Sequence, residues 1–268
     1  MNIFVNGKPV KAPDNTTLAN FKETYYPDSD VQIVNAAVCD DPERRINDGD
    51  RLYLIKRGEV PTKEILAELQ FSRQPFAVTS LLQKACVGIA GAGGLGTVVA
   101  EILARAGIGK LVIADFDVVE PSNLNRQRFL LSQLGRPKVE ALADNIKAFT
   151  PFIDLVALKQ KVTAANCATF FSGCTVVAEC FDRPENKAEI VFGLKKNLPG
   201  CSVVTVSGIA GLADGNDIRV RKISEGFWVV GDMTSDAGDG GGLLASRVGI
   251  AASLQAHLII RLLAGEQT

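Results

Sequence analysis

The chain has 268 residues, which is long enough for one large domain and a second, smaller one. Hydrophobic residues make up 47% and charged residues 22%, an ordinary globular composition that excludes a disordered or collagen-like chain. The formal net charge of -1 argues against a broad basic surface, so we expect no nucleic-acid partner.

The first 60 residues resemble a separate small unit. The segment NIFVNGKPV predicts two short strands around an Asn6-Gly7 turn, and TTLANFKETYY predicts a capped helix. The segments VQIVNAAVC and RLYLIKRG each predict a further strand. This ββαββ order predicts a β-grasp, ubiquitin-like domain over residues 1–60, followed by a helical connector over residues 61–84.

From residue 85 onward, strand patterns alternate with helix patterns. Strands are expected at 86–90, 111–115, 153–158, 175–179 and 202–206, and helices at 94–107, 137–149, 184–197 and 243–264. Such alternation predicts an α/β fold, a Rossmann-like doubly wound and mostly parallel sheet, over residues 85–268. The segment DIRVRKISEGFWVVG predicts two antiparallel strands added late, and residues 231–242 predict a glycine-rich loop.

Three negative expectations follow from simple patterns. None of the six cysteines forms a C-x-x-C pair, so we expect no zinc site and reduced thiols in a cytoplasmic protein. The start MNIFVNGKPV lacks the apolar run of a signal peptide. The apolar region from Leu243 to Ala264 contains Arg247 and Arg261, which favours a buried or dimer-interface helix over a membrane span.

The segment CVGIAGAGGLG predicts a strand, a glycine turn and the start of a helix. Gly91, Gly93 and Gly96 fit the pattern G-x-G-x-x-G, and Asp115 follows Gly96 by 19 residues. Glycines let the backbone approach a phosphate, and an aspartate at this distance can bind a ribose. The pattern indicates a nucleotide site but leaves NAD, FAD and ATP open.

The next segment, DFDVVEPSNLNRQRF, favours a triphosphate. Its 14 residues from 115 to 128 are rich in polar side chains, and seven of these carry the interpretation: Asp115, Asp117, Asn123, Asn125, Arg126, Gln127 and Arg128. One arginine side chain can donate two parallel hydrogen bonds to the oxygens of a phosphate. Lys138, at the start of the next helix, would place an ammonium group near the same phosphates.

The segments GAGGLG, DFDVVEPSNLNRQ and GRPK, in this order and spacing, resemble the ThiF/MoeB branch of the ubiquitin-activating-enzyme superfamily. The resemblance covers about residues 70–265. It is strongest to the family 2 type of ThiF, which carries a ThiS-like N-terminal segment ending in KRGE, here Lys56 to Glu59.

The resemblance implies roles for individual residues. The residues that would line the nucleotide are Gly91, Gly93, Gly94, Gly96, Asp115 and Asp117, with Asp115 on the ATP ribose. The residues that would hold the phosphates are Asn123, Arg126, Gln127 and Lys138. Asp182 would hold Mg²⁺, and Arg73 would reach the phosphates of a neighbouring subunit, which implies a homodimer.

The resemblance also implies an activity: ATP-dependent adenylation of the C-terminal glycine of a ThiS-type sulfur carrier, in thiamine thiazole synthesis. Three alternatives stay open at this point. The substrate carboxylate could belong to another carrier or to a modified tRNA base, the chain could be a nucleotide-binding adaptor without catalysis, or it could be an NAD-dependent oxidoreductase.

The chain departs from the family pattern at several positions. Arg183 and Lys187 replace an asparagine and an arginine, and residues 231–242 contain no cysteine for sulfur transfer. Cys180, at a strand end, is expected to pack in the core, and His257, in an apolar helix, is expected to be structural. Gly58 is followed by Glu59 and has no free carboxylate, so the N-terminal domain cannot itself be the substrate in this form.

Overall fold

The computed structural model describes residues 1–238 and 241–266. The chain folds into two compact units, one from Met1 to Ser80 and the other beginning at Leu81. Residues 239 and 240 of the predicted glycine-rich loop, and residues 267 and 268 of the predicted second domain, lie outside the described residues. The predicted domain boundaries at residues 60 and 84 stay predictions.

The first unit contains the predicted ubiquitin-like sheet. Its elements are β1 (Asn2–Val5), β2 (Lys8–Lys11), α1 (Leu18–Tyr25), β3 (Val31–Val34), β4 (Ala37–Val38) and β5 (Arg51–Ile55). The strand order is β2-β1-β5-β3-β4, with β1 and β5 parallel and the other pairs antiparallel. Leu18 and Phe21 of α1 pack against Ile3, Val5 and Leu52 of the sheet, which closes a small core.

Two turns in this sheet need left-handed backbone. Asn6 and Gly7 have φ of 48° and 80°, which is the pattern of a two-residue hairpin and confirms the predicted turn. Asn35 and Ala36 have φ of 48° and 72°, and this second turn breaks the predicted strand over VQIVNAAVC into β3 and β4. The Asn35 side chain stabilises the turn, because its Oδ1 accepts a hydrogen bond from the Arg51 N–H at 2.9 Å.

Two short helices, α2 (Lys63–Gln70) and α3 (Phe76–Leu82), follow the sheet. The second unit then alternates strand and helix. Its elements are β6 (Cys86–Ala90), α4 (Gly94–Ala106), β7 (Lys110–Ala114), α5 (Lys138–Lys147), β8 (Asp154–Leu158), α6 (Cys167–Phe170), β9 (Val176–Glu179), α7 (Pro184–Asn197), β10 (Ser202–Val206), β11 (Arg219–Ser224), β12 (Phe227–Gly231) and α8 (Ala245–Leu263).

The large sheet has the order β11-β12-β10-β9-β6-β7-β8. All its pairs are parallel except β11 with β12, so the doubly wound fold and its antiparallel addition are confirmed. From β6 the chain proceeds outward to β7 and β8, and then returns to β9 on the other side of β6. The crevice at the carboxyl ends of β6 and β9 is therefore the topological switch point, where open α/β sheets bind ligands.

The last helix, α8, packs against α4 and the strands β9 to β12. Its buried face includes Arg247, Gln255 and Ile259, whereas His257 is exposed. The histidine expected to be structural therefore lies on the outer face of α8 and takes no part in the core. No helix within residues 1–238 and 241–266 is long and apolar enough to cross a membrane.

Candidate functional site

The glycine turn joins β6 to α4 at the switch point. Gly91 has φ of 100°, a conformation that favours glycine, and its N–H donates to the Ala114 carbonyl at 2.9 Å. A Cβ on Gly96 would lie 1.8 Å from the Gly91 carbonyl oxygen, so this glycine lets the helix approach the strand. A Cβ on Gly93 would meet only Gln127 Nε2, at 3.9 Å, so the space beside Gly93 is open to a ligand.

Gly93 is also the N-cap residue of α4, and no described side chain caps this helix. The first N–H groups of a helix carry partial positive charge and bind anions such as phosphate. Gly94, in the first turn, leaves room for another side chain, because a Cβ there would lie 3.5 Å from Arg126 Cγ. The turn therefore offers free backbone donors beside an arginine.

Asp115 links the end of β7 to the glycine turn. Its buried carboxylate accepts hydrogen bonds from the Ala92 N–H at 2.6 Å and from the Asp117 N–H at 2.8 Å. Each carboxylate oxygen keeps a further lone pair, so hydroxyl groups of a ribose can still donate to it. The structure thus gives Asp115 a role in shaping the turn besides the predicted contact with a nucleotide.

Lys138 and Asp117 form an ion pair beside this turn. Lys138 Nζ lies 2.9 Å from Asp117 Oδ2, and the Lys138 N–H donates to the Asp117 carbonyl, also at 2.9 Å. Lys138 is buried at the start of α5, whereas the Asp117 side chain is half exposed. The two residues predicted separately as nucleotide contacts are therefore partners of each other.

The segment after β7 brings two of the predicted phosphate contacts, Arg126 and Gln127, close to the turn. Arg126 Nη1 donates to the Ser122 carbonyl at 3.0 Å and to Asn125 Oδ1 at 2.9 Å. Gln127 is buried, and its Oε1 has no hydrogen-bond partner among the residues that the structure describes. A buried amide oxygen without a partner is costly, and a ligand donor or a water would satisfy it.

Asn123 has a mainly local role. It is buried, its Oδ1 accepts from the Glu120 N–H at 3.0 Å, and its Nδ2 donates weakly to Ser122 Oγ at 3.4 Å. These bonds hold the short 3₁₀ turn Pro121–Asn123 that precedes Arg126 and Gln127. Asn123 therefore orients the segment, and a direct contact with phosphate stays a prediction.

Asp182 follows β9 on the other side of the crevice. It is exposed and forms no hydrogen bond or ion pair with the part of the chain that the structure describes. The preceding Phe181 approaches the glycine turn, because its Cδ1 would lie 3.1 Å from a Cβ on Gly91. Asp182 thus stands at the same edge of the sheet as the glycines, with its carboxylate free.

The residues described by the structure contain no group of three or more His, Cys, Asp or Glu side chains that could hold a metal ion. Mg²⁺ is commonly held by one or two carboxylates together with substrate phosphates and water. A single free carboxylate at Asp182 therefore fits Mg²⁺ that arrives with a nucleotide.

Sequence reasoning did not identify Glu179, the last residue of β9. Its side chain is fully buried, and it accepts hydrogen bonds from the Phe181 N–H, Lys187 Nζ and Thr205 Oγ1. The available signal was a charged residue closing the otherwise apolar strand VVAE.

Cys180 is buried next to this carboxylate, and its Sγ donates to Gln255 Oε1 at 3.6 Å. Burial, followed by the negative charge of Glu179, raises the pKa of the Cys180 thiol far above its usual range. The thiol therefore stays protonated, in agreement with the predicted packing role.

The loop after β12 is anchored to α8 by a buried ion pair between Asp232 and Arg247. Asp232 also accepts from the N–H groups of Thr234 at 2.7 Å and Ser235 at 2.8 Å. Burial tends to raise the pKa of Asp232, but hydrogen bonds from Ser235 and Thr234 outweigh it and hold this pKa well below its usual range.

Arg73 belongs to the first unit, where it is exposed between α2 and α3. Its predicted contact with the phosphates of a neighbouring subunit stays a prediction. The other predicted residues all belong to the second unit. The glycines follow β6, the residues from Asp115 to Lys138 come after β7, and Asp182 follows β9.

Two family models match the chain. One, described as the ThiF family, matches residues 67–268, and the other, described as ThiS-like ubiquitin, matches residues 1–58. The molybdopterin-synthase adenylyltransferase of Salmonella typhimurium is 29% identical over 212 residues, which cover 73% of this chain and 82% of that protein.

A second relative is the tRNA threonylcarbamoyladenosine dehydratase of Bacillus subtilis, which is 32% identical over 163 residues and 58% of this chain. This match spans 63% of the Bacillus subtilis protein, and a separate match spans 55% of the dehydratase of Haemophilus influenzae. The chain therefore covers less than two thirds of the length of either relative.

Among solved structures, the E. coli tRNA N6-threonylcarbamoyladenosine dehydratase in complex with ATP has a TM-score of 0.66 at 22% identity. The superposition covers 73% of this chain and 92% of the dehydratase chain. This likeness shows a shared fold. The match over residues 67–268 shows more: the chain belongs to the ThiF family and carries an N-terminal ThiS-like ubiquitin domain.

Proposed function

We propose that the protein is an ATP-dependent adenylyltransferase that activates the C-terminal glycine carboxylate of a ThiS-type sulfur-carrier protein, in thiamine thiazole synthesis. The observation that carries the adenylation is the uncapped start of α4 at the switch point, where Arg126 lies beside Gly94. Lys138 is linked to the same turn through Asp117 and Asp115. Backbone donors and two cations suit a triphosphate better than the single pyrophosphate of NAD.

The reaction needs little beyond positioning and neutralisation of charge. A carboxylate oxygen of the carrier attacks the α-phosphorus of ATP, a new C–O–P linkage forms, and the bond to the pyrophosphate oxygen breaks. The carboxylate is already ionised at neutral pH, so no residue has to remove a proton. Negative charge grows on the leaving pyrophosphate, where Arg126 and Lys138 would stabilise it.

Asp182 would hold Mg²⁺ together with the phosphates, and the ion would supply further positive charge to them. Gln127 would hold a phosphate oxygen through its amide Nε2, the atom of this side chain that faces Gly93. Asp115 would accept hydrogen bonds from the ribose hydroxyls.

The ThiS-like domain and the adenylyltransferase relative support a ubiquitin-like carrier as the partner. A second candidate substrate is a carboxylate on a modified tRNA base, which is favoured by the names of the two dehydratase relatives. The net charge of -1 weighs against it, because tRNA binding relies on basic surface.

The fused N-terminal domain would act in docking or regulation, because Gly58 is followed by Glu59 and has no terminal carboxylate to adenylate. The active form would be a homodimer in the cytoplasm, with Arg73 of one subunit serving the nucleotide of the other.

ATP–pyrophosphate exchange tests the proposal directly. Purified protein with Mg²⁺ should exchange label only when a ThiS-type carrier ending in Gly-Gly is added, and Arg126→Ala and Lys138→Ala should lower the rate. Exchange with tRNA, but with no carrier, would favour the second candidate. ATP binding without any exchange would favour an adaptor, and thermal stabilisation by NAD but not by Mg-ATP would favour an oxidoreductase.

A further inference from the structure

The side chain of Glu179, the last residue of β9, is buried at the switch point. It accepts hydrogen bonds from three residues of neighbouring segments. Its side chain has 0% exposure. It accepts from the Phe181 N–H at 2.6 Å, from Lys187 Nζ at 3.0 and 3.3 Å, and from the Thr205 hydroxyl.

These bonds hold the chain on both sides of Asp182. Phe181 immediately precedes Asp182, and Lys187 lies in the beginning of α7, five residues after it. Thr205 belongs to β10 and ties the same carboxylate to the sheet. The segment from 181 to 187 is therefore fixed at both ends to one buried group, whereas Asp182 itself is exposed.

The turn at Asp182 also contacts the glycine turn. The Cys180 N–H donates to the Ala90 carbonyl at 2.8 Å, and Phe181 lies close to Gly91. A movement of this segment would therefore shift Asp182 relative to the nucleotide-binding glycines.

Stability alone does not account for a charged group here. Removing a carboxylate and an ammonium from water is costly, and apolar side chains of similar size often stabilise a core at least as well as a buried ion pair. The two carboxylate oxygens of Glu179 instead join Phe181, Lys187 and Thr205 at one point, and the charge of Glu179 matches that of Lys187.

We infer that Glu179, paired with Lys187, is a positioning residue that fixes Asp182 where its carboxylate meets Mg²⁺ on the bound nucleotide. This inference rests on the proposed function. Residues that orient a metal ligand commonly cost about 10-fold to 100-fold in metal affinity when they are changed.

The test is binding of methylanthraniloyl-ATP at graded Mg²⁺ concentrations, followed by fluorescence. Glu179→Gln should raise the Mg²⁺ concentration at half-maximal binding about 10-fold, while binding in EDTA stays unchanged. Glu185→Gln is the matched control, because it removes the same charge three residues after Asp182 from an exposed position on α7. We expect that control to stay within about twofold of the unchanged protein.

A second comparison separates positioning from general damage. Asp182→Asn should abolish the dependence on Mg²⁺, and adding Glu179→Gln to it should cause no further loss. If Glu179→Gln does not fold, Glu179→Gln with Lys187→Met removes both charges and leaves no unpaired ammonium. Failure of both variants to fold would overturn the inference, since the pair would then serve folding alone.

An unchanged Mg²⁺ requirement in folded Glu179→Gln would also overturn it, as would an added loss in the Asp182→Asn background. Mg²⁺-dependent binding of the analogue by the unchanged protein shows whether the positioning role or the proposed function has failed. If it shows no Mg²⁺-dependent binding of the analogue, the proposed function is wrong. If it does, and only the variant result disagrees, the positioning role of Glu179 is wrong.

Discussion

Lys138 Nζ lies 2.9 Å from Asp117 Oδ2, and this ion pair joins the start of α5 to the loop after β7. The Lys138 side chain as a whole is largely buried, whereas the Asp117 side chain is half exposed. A phosphate that enters the site would meet a cation already held in place, so little side-chain entropy remains to be lost on binding.

Replacing Lys138 with alanine should therefore impair catalysis more than folding. We expect Lys138→Ala to lower the ATP–pyrophosphate exchange rate about 100-fold, because one preorganised charge on the reacting phosphates is lost. Stability should fall by only about 1 kcal/mol, since Asp117 can turn to water. Lys147→Ala, at the exposed end of the same helix, is the control. Equal loss in both variants would contradict a role for Lys138 at the phosphates.

Gly93 and Gly96 should respond differently to alanine. At Gly96 the new Cβ would lie 1.8 Å from the Gly91 carbonyl, so Gly96→Ala should destabilise the protein by about 3 kcal/mol. At Gly93 the Cβ would enter open space, so Gly93→Ala should fold normally and bind ATP more weakly. Urea denaturation and ATP titration measure the two effects. Unimpaired ATP binding by Gly93→Ala would argue against a ligand at the turn.

The glycine pattern shows why part of this site could be predicted from the sequence. A strand, a glycine turn and a helix are local, and the alternation after residue 85 gives a parallel sheet whose carboxyl ends meet. Asn6-Gly7 likewise specifies its hairpin by itself.

Contacts between distant elements could not be predicted in this way. The Glu179 carboxylate accepts hydrogen bonds from Thr205 of β10 and Lys187 of α7, and no spacing in the sequence indicates that these residues meet. The second hairpin turn was missed because Asn35-Ala36 lacks glycine, and its conformation depends on a hydrogen bond from Arg51. The orientation of His257 depends on which face of α8 packs on α4, and apolar residues occur on several sides of that helix.

Asp232 gives a prediction about pH. Its pKa is held below the usual range, so its charge contributes stability above the pKa of an unfolded aspartate, about 4, and this contribution is lost as the pH falls through the lower folded value. Asp232→Asn leaves Arg247 buried without its partner, and should cost about 3 kcal/mol at pH 7.

Urea denaturation of both proteins measures this difference. The gap between Asp232→Asn and the unchanged protein should be constant from pH 7 to about 5 and should shrink below about 4. A gap that grows as the pH falls would contradict the assignment of a charged Asp232 in the folded state.

The cysteines should differ in reactivity. Cys39 and Cys86 are partly exposed, whereas Cys180 is buried and burial raises its pKa. Thiolates are the reactive form, so iodoacetamide at pH 7.5 should label Cys39 and Cys86 in the folded protein and Cys180 only after unfolding. Mass spectrometry of peptides locates the label. Rapid labelling of Cys180 in the folded state would reopen a covalent role in sulfur transfer.

The proposed contribution of Arg73 across a dimer can be tested by mixing two inactive variants. Arg73→Ala and Asp182→Ala should each abolish exchange alone. In a mixed dimer, the site with intact Asp182 would receive Arg73 from the other subunit, so random mixing should restore about a quarter of the unchanged number of sites. If Arg73 acts within its own subunit, every site in the mixture lacks one group and no activity returns. Dimers must be verified by light scattering before and after mixing, because a monomeric protein would also give no rescue and would itself contradict the proposed homodimer.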